Sequence, residues 1–159
     1  MPYGQIGPAD ALLVPGGKGT RRLVGDESFL SWLREVGAQA PWVASVCTGS
    51  AVLAAAGLLE GYAATSNKRA FAWVSSFGKS VTWKPKARWV HDRDRWTSSG
   101  VAAGMDMTVA LIAHLVSDSA AIDAANFAEY EPHRDCEWDP FARLYGLVPS
   151  SLDDAECGE

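Results

Sequence analysis

Short apolar runs alternate with segments of helical periodicity along most of the chain. Ala11–Val14 and the sequence WVASV at 42–46 contain no charged residue, which is typical of strands buried on both faces of a parallel sheet. The first run stops at Pro15-Gly16-Gly17, and the second leads into the alanine-rich stretch SAVLAAAGLL. This order predicts βαβ units in an α/β fold.

Two longer segments have the pattern of amphipathic helices. Asp26 is in position to cap the first, and its apolar residues Phe29, Leu30, Leu33 and Val36 recur at the spacing of one helix face. The second segment is AGMDMTVALIAHLVS, followed by DSAAIDAANFAEYE as a further predicted helix. Five residues of the second segment are expected to face the core: Met105, Val109, Ile112, Leu115 and Val116.

The remaining elements are predicted from turn and cap signals. Gly61 is expected to stop the helix after Cys47, and Ser66 to cap a helix through NKRAFAWVSSF. Three segments are predicted to be strands, with the last two joined as a small hairpin: SVTW, ARWVH and RWTSS. Residues 1–148 are predicted to form one domain, and the acidic tail 149–159 to be flexible.

Composition and charge limit the class of protein. The chain has 159 residues with a net charge of −5, which argues against a nucleic-acid binder that relies on excess Lys and Arg. Cys47, Cys136 and Cys157 form neither a close pair nor a metal-type spacing, so a cytoplasmic location is expected. No signal peptide and no membrane span are expected.

Cys47 lies at the predicted turn from a buried strand into a helix. Such a turn tolerates its strain only with small neighbours, and Ser45 and Gly49 stand two positions on either side. Amide groups at the helix start and the helix dipole favour the thiolate, the reactive form of cysteine. A buried structural cysteine remains the alternative interpretation.

Several stretches, in this order, resemble the ThiJ/PfpI superfamily, a class I glutamine-amidotransferase-like group: DALLVPGGKGTRRL, VASVCTGSAVLAAAGLLEGYAATSNKRAF, KARWV, WTSSGVAAGMDM and EYE. The similarity covers nearly the whole chain, and CTGS followed by AGLL is characteristic of the isonitrile hydratase-like branch. It implies a flavodoxin-like three-layer sandwich with a mainly parallel sheet, no metal or organic cofactor, and a homodimer.

The resemblance also implies a site and a reaction. Cys47 is the implied nucleophile, and amides near Gly17 and Thr48 are implied to bind negative charge. Gly16, Asn67, Ser98 and Ser99 are the expected substrate-binding residues. The implied activity is hydration of an isonitrile to an N-substituted formamide, by a lyase. Glyoxalase or deglycase activity on reactive dicarbonyls, or a non-catalytic redox-responsive role, are the alternatives.

The chain departs from the family pattern in two places. Relatives usually have a strand, a helix and further strands before the segment that matches ADALLV, and one of those early turns supplies an acidic residue that contacts the cysteine. We expect its absence to leave an open sheet edge, and we do not assign the acidic role to Asp10. Many relatives carry histidine where this chain has Asn67, which weakens a Cys-His arrangement.

Three other features have simpler interpretations. His114 lies within a predicted amphipathic helix, where a packing role is expected. The group His133, Asp135, Cys136 and Glu137 matches no standard zinc spacing, so no metal is expected there. KPKARWVHDRDRW interleaves basic and aromatic residues as single-strand binders do, but a solvated hairpin is favoured. The expected partner is a small-molecule substrate, with neither nucleic acid nor a membrane involved.

Overall fold

The computed structural model describes residues 9–149. Its main sheet has the strand order β1-β2-β6-β5. These strands are β1 (Ala11–Val14), β2 (Trp42–Val46), β5 (Trp89–Asp92) and β6 (Arg95–Ser98). β1, β2 and β6 run parallel, and β5 pairs antiparallel with β6 through the predicted hairpin. The prediction of an α/β fold with a mainly parallel sheet is confirmed.

Helices cover both faces of this sheet. They are α1 (Thr20–Leu23), α2 (Glu27–Gln39), α3 (Gly49–Ala55), α4 (Phe71–Val74), α5 (Val101–Leu115), α6 (Asp118–Phe127) and α7 (Phe141–Leu144). A 3₁₀ turn, Lys68–Ala70, precedes α4, and the short strands β3 (Ala63–Ala64) and β4 (Thr82–Trp83) form a second parallel pair. Val43 packs in the core with α2 and α3, whereas Ala44 packs with Met107 of α5. Because successive strand residues face opposite sides, β2 contributes to both cores.

The local signals for α2 and α3 are partly confirmed. Asp26 caps α2, with its Oδ1 accepting a hydrogen bond from Phe29 N at 3.1 Å, and Leu30 and Leu33 are buried as expected. The predicted stop of α3 at Gly61 is wrong. The helix ends at Ala55, and Gly57 two residues later has a φ of 79°, the left-handed conformation that glycine adopts without strain.

The predicted third helix is shorter than expected and has another cap. Asn67 Oδ1 accepts a hydrogen bond from Ala70 N at 3.1 Å, so Asn67 rather than Ser66 caps this segment. Ser66 is unavailable because its hydroxyl donates to the carbonyl of Cys47. Phe71 and Val74 are buried as expected, but only a 3₁₀ turn and one helical turn form.

The inward face predicted for α5 is wrong at three of its five positions. Met105, Leu115 and Val116 are 46%, 41% and 71% exposed. Val109 and Ile112 are only half-buried. The apolar face of this helix is therefore turned largely to the surface.

Small residues on α5 explain this orientation. The residues that it buries are Ala103, Gly104, Asp106 and Met107. A Cβ atom at Gly104 would lie 2.7 Å from Cγ1 of Val46, so the glycine permits a close approach between helix and sheet. Larger apolar residues of α5 then remain on the opposite side.

The buried carboxylate of Asp106 ties three parts of the chain together. It forms an ion pair with the guanidinium of Arg88 at 2.6 Å and accepts hydrogen bonds from Tyr130 Oη and His133 N. Burial, followed by the hydrogen bond to Asp106, raises the pKa of Tyr130 to about 12. The segment after α6 is thus fixed to the hairpin through α5.

The remaining predictions concern packing, the membrane and the tail. His114 is exposed, and its ring packs edge-on against Trp42, with ring centroids 5.2 Å apart. Among residues 9–149, no helix has the length and apolarity needed to cross a membrane. Apart from Pro149, the tail predicted to be flexible lies outside the described residues.

Candidate active site

Cys47 has a backbone conformation that cysteine rarely adopts. It follows β2, directly before Thr48 and α3, and its φ is 58°, in the left-handed region. Two glycines make room for this turn: a Cβ at Gly49 would lie 2.1 Å from the carbonyl oxygen of Val14, and a Cβ at Gly16 would lie 2.8 Å from Cys47 Cβ. The thiol is free and partly exposed. The expected strand-to-helix turn with small neighbours is therefore present.

Three hydrogen bonds fix the backbone of Cys47. Its N–H donates to Ser98 O at 3.2 Å, and its carbonyl oxygen accepts from the hydroxyls of Ser50, at 3.1 Å, and Ser66, at 3.0 Å. Sequence reasoning missed the roles of Ser50 and Ser66. A serine three residues after Cys47, at the start of a helix, was a local signal for Ser50, but Ser66 reaches the turn only through the tertiary fold.

The Gly16-Gly17 turn is bound to the residue after the cysteine. Gly17 N–H donates to Thr48 Oγ1 at 3.0 Å, and Thr20 Oγ1 donates to Gly17 O at 2.7 Å. The position of a Cβ at Gly16 is 2.8 Å from Thr48 N. Within the described part of the chain, Thr48 N–H has no hydrogen-bond partner.

Two of the expected substrate-binding residues line a cavity of about 230 Å³, namely Asn67 and Ser99. The other lining residues are Lys68, Arg69, Gly100, Phe141 and Tyr145. Asn67 and Ser99 each follow directly on a residue that hydrogen-bonds the Cys47 backbone, Ser66 and Ser98 respectively. Ser98 itself does not line the cavity, since its hydroxyl is fully buried and points to Ser45 O at 3.5 Å. Phe141 and Tyr145 come from a part of the chain for which no role was predicted.

Lys68 is the buried cation beneath this cavity. It is 2% exposed, and its Nζ donates to Thr65 Oγ1 and to the carbonyl oxygen of Ala87. Burial lowers the pKa of Lys68 to about 8, against the opposing charge of Asp139. The ammonium group joins the end of β3 to the loop before β5.

Acid–base groups are scarce around the cysteine. Within residues 9–149, no carboxylate or imidazole lines the cavity or hydrogen-bonds residues 16–17 and 47–48. The same residues contain no cluster of three or more His, Cys, Asp or Glu side chains that could hold a metal ion. Larger cavities of about 260 to 480 Å³ lie along α5 and α6. Neither Cys47 nor Thr48 lines these cavities or the 230 Å³ cavity, but Asn67 and Ser99 of the smaller one adjoin residues that hold the Cys47 backbone.

Comparisons of sequence agree with this geometry. Residues 4–114 match the DJ-1/PfpI family. The isonitrile hydratase of Pseudomonas putida is 39% identical over 123 residues, which are 77% of this chain and 53% of that enzyme. The HTH-type transcriptional regulator GbdR of Pseudomonas aeruginosa is 37% identical over 103 residues, 65% of this chain and 28% of the regulator. The chain thus spans about half, or less, of the length of these relatives.

A solved structure supports the fold. The crystal structure of a THiJ/PfpI family protein from Pseudomonas syringae has a TM-score of 0.74 at 37% identity, covering 82% of this chain and 54% of that one. This likeness confirms the flavodoxin-like arrangement expected from the sequence. The cysteine at the strand-to-helix turn, the paired glycines opposite it and the match over residues 4–114 lead to one conclusion: the chain belongs to the DJ-1/PfpI family.

Proposed function

We propose that this chain is a cysteine-dependent hydratase or hydrolase of small molecules that converts an isonitrile into an N-substituted formamide. The observation that carries the proposal is the partly exposed Cys47, held with a φ of 58° at the end of a parallel strand. A non-glycine residue in this conformation is costly, and such strain gathers at functional sites. The 39% identity to an isonitrile hydratase supports this choice of reaction.

The proposed reaction proceeds through a thioester-like imine. The Cys47 thiolate attacks the terminal carbon of the isonitrile, a C–S bond forms, and that carbon takes a proton to give a thioformimidate. Water then adds to the same carbon, the C–S bond breaks, and the thiolate returns as leaving group. One hydrogen of this water ends on the nitrogen, and the other is released as the carbonyl forms, which replaces the proton that the carbon took up in the first step. Cys47 is regenerated without any change of oxidation state.

The neighbouring groups have separate roles in this proposal. Thr48 N–H stabilises the charge that develops during addition, because it lies beside the cysteine and has no partner within residues 9–149. Gly17 acts through Thr48, since its N–H already donates to Thr48 Oγ1. Gly16, Asn67, Ser98 and Ser99 shape the site, with Asn67 and Ser99 in contact with bound substrate.

Turnover of a simple isonitrile, measured as formamide released, tests the proposal. Wild type is compared with Cys47→Ser and with Cys136→Ser, which removes a second partly buried thiol away from the cavity. We expect Cys136→Ser to retain activity and Cys47→Ser to lose it, with a covalent adduct at residue 47 detected by mass spectrometry in wild type. Turnover that survives in Cys47→Ser would show that another group carries the reaction.

A second candidate is a redox-responsive protein without turnover. It is favoured by the lack of carboxylates and imidazoles around the site within residues 9–149, because proton transfer by such groups contributes about 10²–10⁴-fold to a rate. Treatment with hydrogen peroxide separates the candidates. Selective oxidation of Cys47 together with no conversion of an isonitrile or of methylglyoxal supports this role, whereas conversion of methylglyoxal favours glyoxalase chemistry.

We also propose that two copies of the chain associate through the apolar face of α5. Val101 and Met105 on this face are 75% and 46% exposed, and an apolar groove of about 480 Å³ runs beside them. Exposed apolar surface of this kind marks interaction sites in soluble proteins. Sedimentation velocity with wild type and Met105→Glu tests the association: we expect a dimer that the variant weakens, and a monodisperse wild-type monomer contradicts it.

A further inference from the structure

We propose that the 230 Å³ cavity lined by Asn67 and Ser99 selects a ring-bearing substrate with an anionic group, a carboxylate or a phosphate, held by Arg69. This inference rests on the proposed function, since it identifies the class of molecule that reaches Cys47. It depends on four properties of the cavity: its position, its size, its charge and its aromatic wall.

The position of the cavity follows from backbone connections. Asn67 and Ser99 line it, and the residues immediately before them, Ser66 and Ser98, bond to the carbonyl and the N–H of Cys47. Asn67 Nδ2 is 3.7 Å from the position of a Cβ at Gly100, so the amide faces the start of α5 on the cavity side. Cys47 and Thr48 do not themselves line the cavity, which lies one residue along the chain from two of the groups that hold the Cys47 turn.

The size of the cavity limits the occupant. Its volume is about 230 Å³. An apolar cavity of roughly 150 Å³ is large enough to bind benzene, whereas pockets for larger organic ligands range from roughly 300 to 1,000 Å³. The space therefore fits one ring with a few further atoms.

The charged groups of the cavity are both cationic in a protein whose net charge is −5. Lys68 is offset by the buried carboxylate of Asp139, whose charge acts on it, and its ammonium donates to two protein oxygens. Arg69 is exposed, and within residues 9–149 its guanidinium has no ion-pair or hydrogen-bond partner. A planar guanidinium of this kind binds carboxylate or phosphate oxygens in pairs.

The aromatic wall comes from the end of the described chain. Phe141 of α7 and Tyr145 line the cavity and are 51% and 45% exposed. α7 packs on the 3₁₀ turn that carries Lys68 and Arg69. Both aromatic residues lie outside residues 4–114, the part that matches the family. The aromatic wall therefore lies outside the residues that match the family, whereas Arg69 lies within them.

Binding of unreactive probes tests the inference without any turnover. Benzoate and phenyl phosphate supply the two anionic groups, and benzyl alcohol supplies the same ring without charge. Titration calorimetry with the 159-residue chain is expected to give at least one anion that binds about tenfold more tightly than benzyl alcohol. The stronger of the two anions identifies the group, and equal binding of all three probes overturns the inference.

Variants locate the interaction. Arg69→Gln is expected to reduce anion affinity about tenfold, and Arg69→Lys to restore part of it. Arg134→Gln, which removes another exposed guanidinium that does not line the cavity, is expected to change nothing. Equal affinities in Arg69→Gln and Arg134→Gln would place the anion elsewhere. Tyr145→Ala is expected to weaken all ring-bearing probes alike, because it removes part of the aromatic wall.

Kinetics with two isonitriles separate this inference from the proposed function. 4-Isocyanobenzoate and phenyl isocyanide differ only in the carboxylate, and we expect Arg69→Gln to lower the ratio of their kcat/KM values about tenfold. Anion binding that depends on Arg69 without turnover of either compound would leave the cavity assignment standing and remove the isonitrile reaction. Turnover of both compounds, with a ratio of kcat/KM values that Arg69→Gln leaves unchanged, would support the isonitrile reaction and overturn the cavity assignment.

Discussion

Gly16→Ala tests whether the site depends on the close contact between the glycine turn and the cysteine turn. The added Cβ would lie 2.8 Å from Cys47 Cβ, 2.8 Å from Thr48 N and 3.0 Å from Thr48 Oγ1. Thr48 N is a backbone atom, Cys47 Cβ is bonded directly to the backbone, and Thr48 Oγ1 is held by the hydrogen bond from Gly17 N–H. The backbone at Cys47 is held by its bonds to Ser98, Ser50 and Ser66, so the overlap must be relieved by moving the two turns apart.

The expected cost is that of overpacking a rigid site. Forcing one extra methyl group into a packed region costs about 1–3 kcal/mol. For a domain of this size, about 2 kcal/mol lowers the melting temperature by roughly 4–8 °C. Separation of the turns also strains the hydrogen bond from Gly17 N–H to Thr48 Oγ1. We therefore expect the reactivity of Cys47 to change together with stability.

Thermal unfolding and the rate of Cys47 alkylation by iodoacetamide measure both effects. Gly19→Ala is the matched control, because no atom lies within 4 Å of its added Cβ and the φ of Gly19 is −60°. The control is expected to remain within about 0.5 kcal/mol of wild type. If Gly16→Ala were as stable as Gly19→Ala and its thiol equally reactive, the reasoning from steric contact would be refuted.

Three further predictions concern titratable groups. Wild type should gain stability in urea unfolding as the pH rises from about 8 towards 10.5, because burial lowers the folded pKa of Lys68 to about 8 while the unfolded chain still binds the proton. Lys68→Met should lack this rise, and an equal rise in the variant contradicts the reasoning. Asp106→Asn should cost about 3–5 kcal/mol, since it leaves the guanidinium of Arg88 without its carboxylate; a loss below about 1 kcal/mol contradicts this. Cys47 should alkylate faster than Cys136 at pH 7, because burial raises the pKa of the Cys136 thiol, and the reverse order in a mass-spectrometric time course removes support for the site.

The elements that the sequence predicted well are those with local causes. Asp26 caps its helix through a bond to a residue three positions away, and the charge-free runs before Pro15 and Cys47 became β1 and β2. The left-handed turn at Cys47 and the close approach of Gly49 also follow from a strand, two residues and a helix in succession.

The elements that were missed depend on contacts between distant segments. The apolar pattern of α5 contains two possible inward faces, and Gly104 against Val46 decides between them through a contact that periodicity does not reveal. The sequence predicted Ser66 to be a helix cap, but in the structure its hydroxyl donates a hydrogen bond to the carbonyl oxygen of Cys47. Tyr145 lines the cavity because α7 packs on the 3₁₀ turn Lys68–Ala70, some seventy residues earlier. No local motif predicts this contact.

The conformation of Cys47 also bears on how this chain can evolve. A φ of 58° costs a residue with a side chain about 1–2 kcal/mol relative to glycine, so Cys47→Gly is expected to stabilise the fold while it removes the thiol. Selection for stability alone would drift towards glycine or asparagine at this position. A lineage that retains cysteine here keeps a less stable residue, which indicates selection for the function of the thiol rather than for stability.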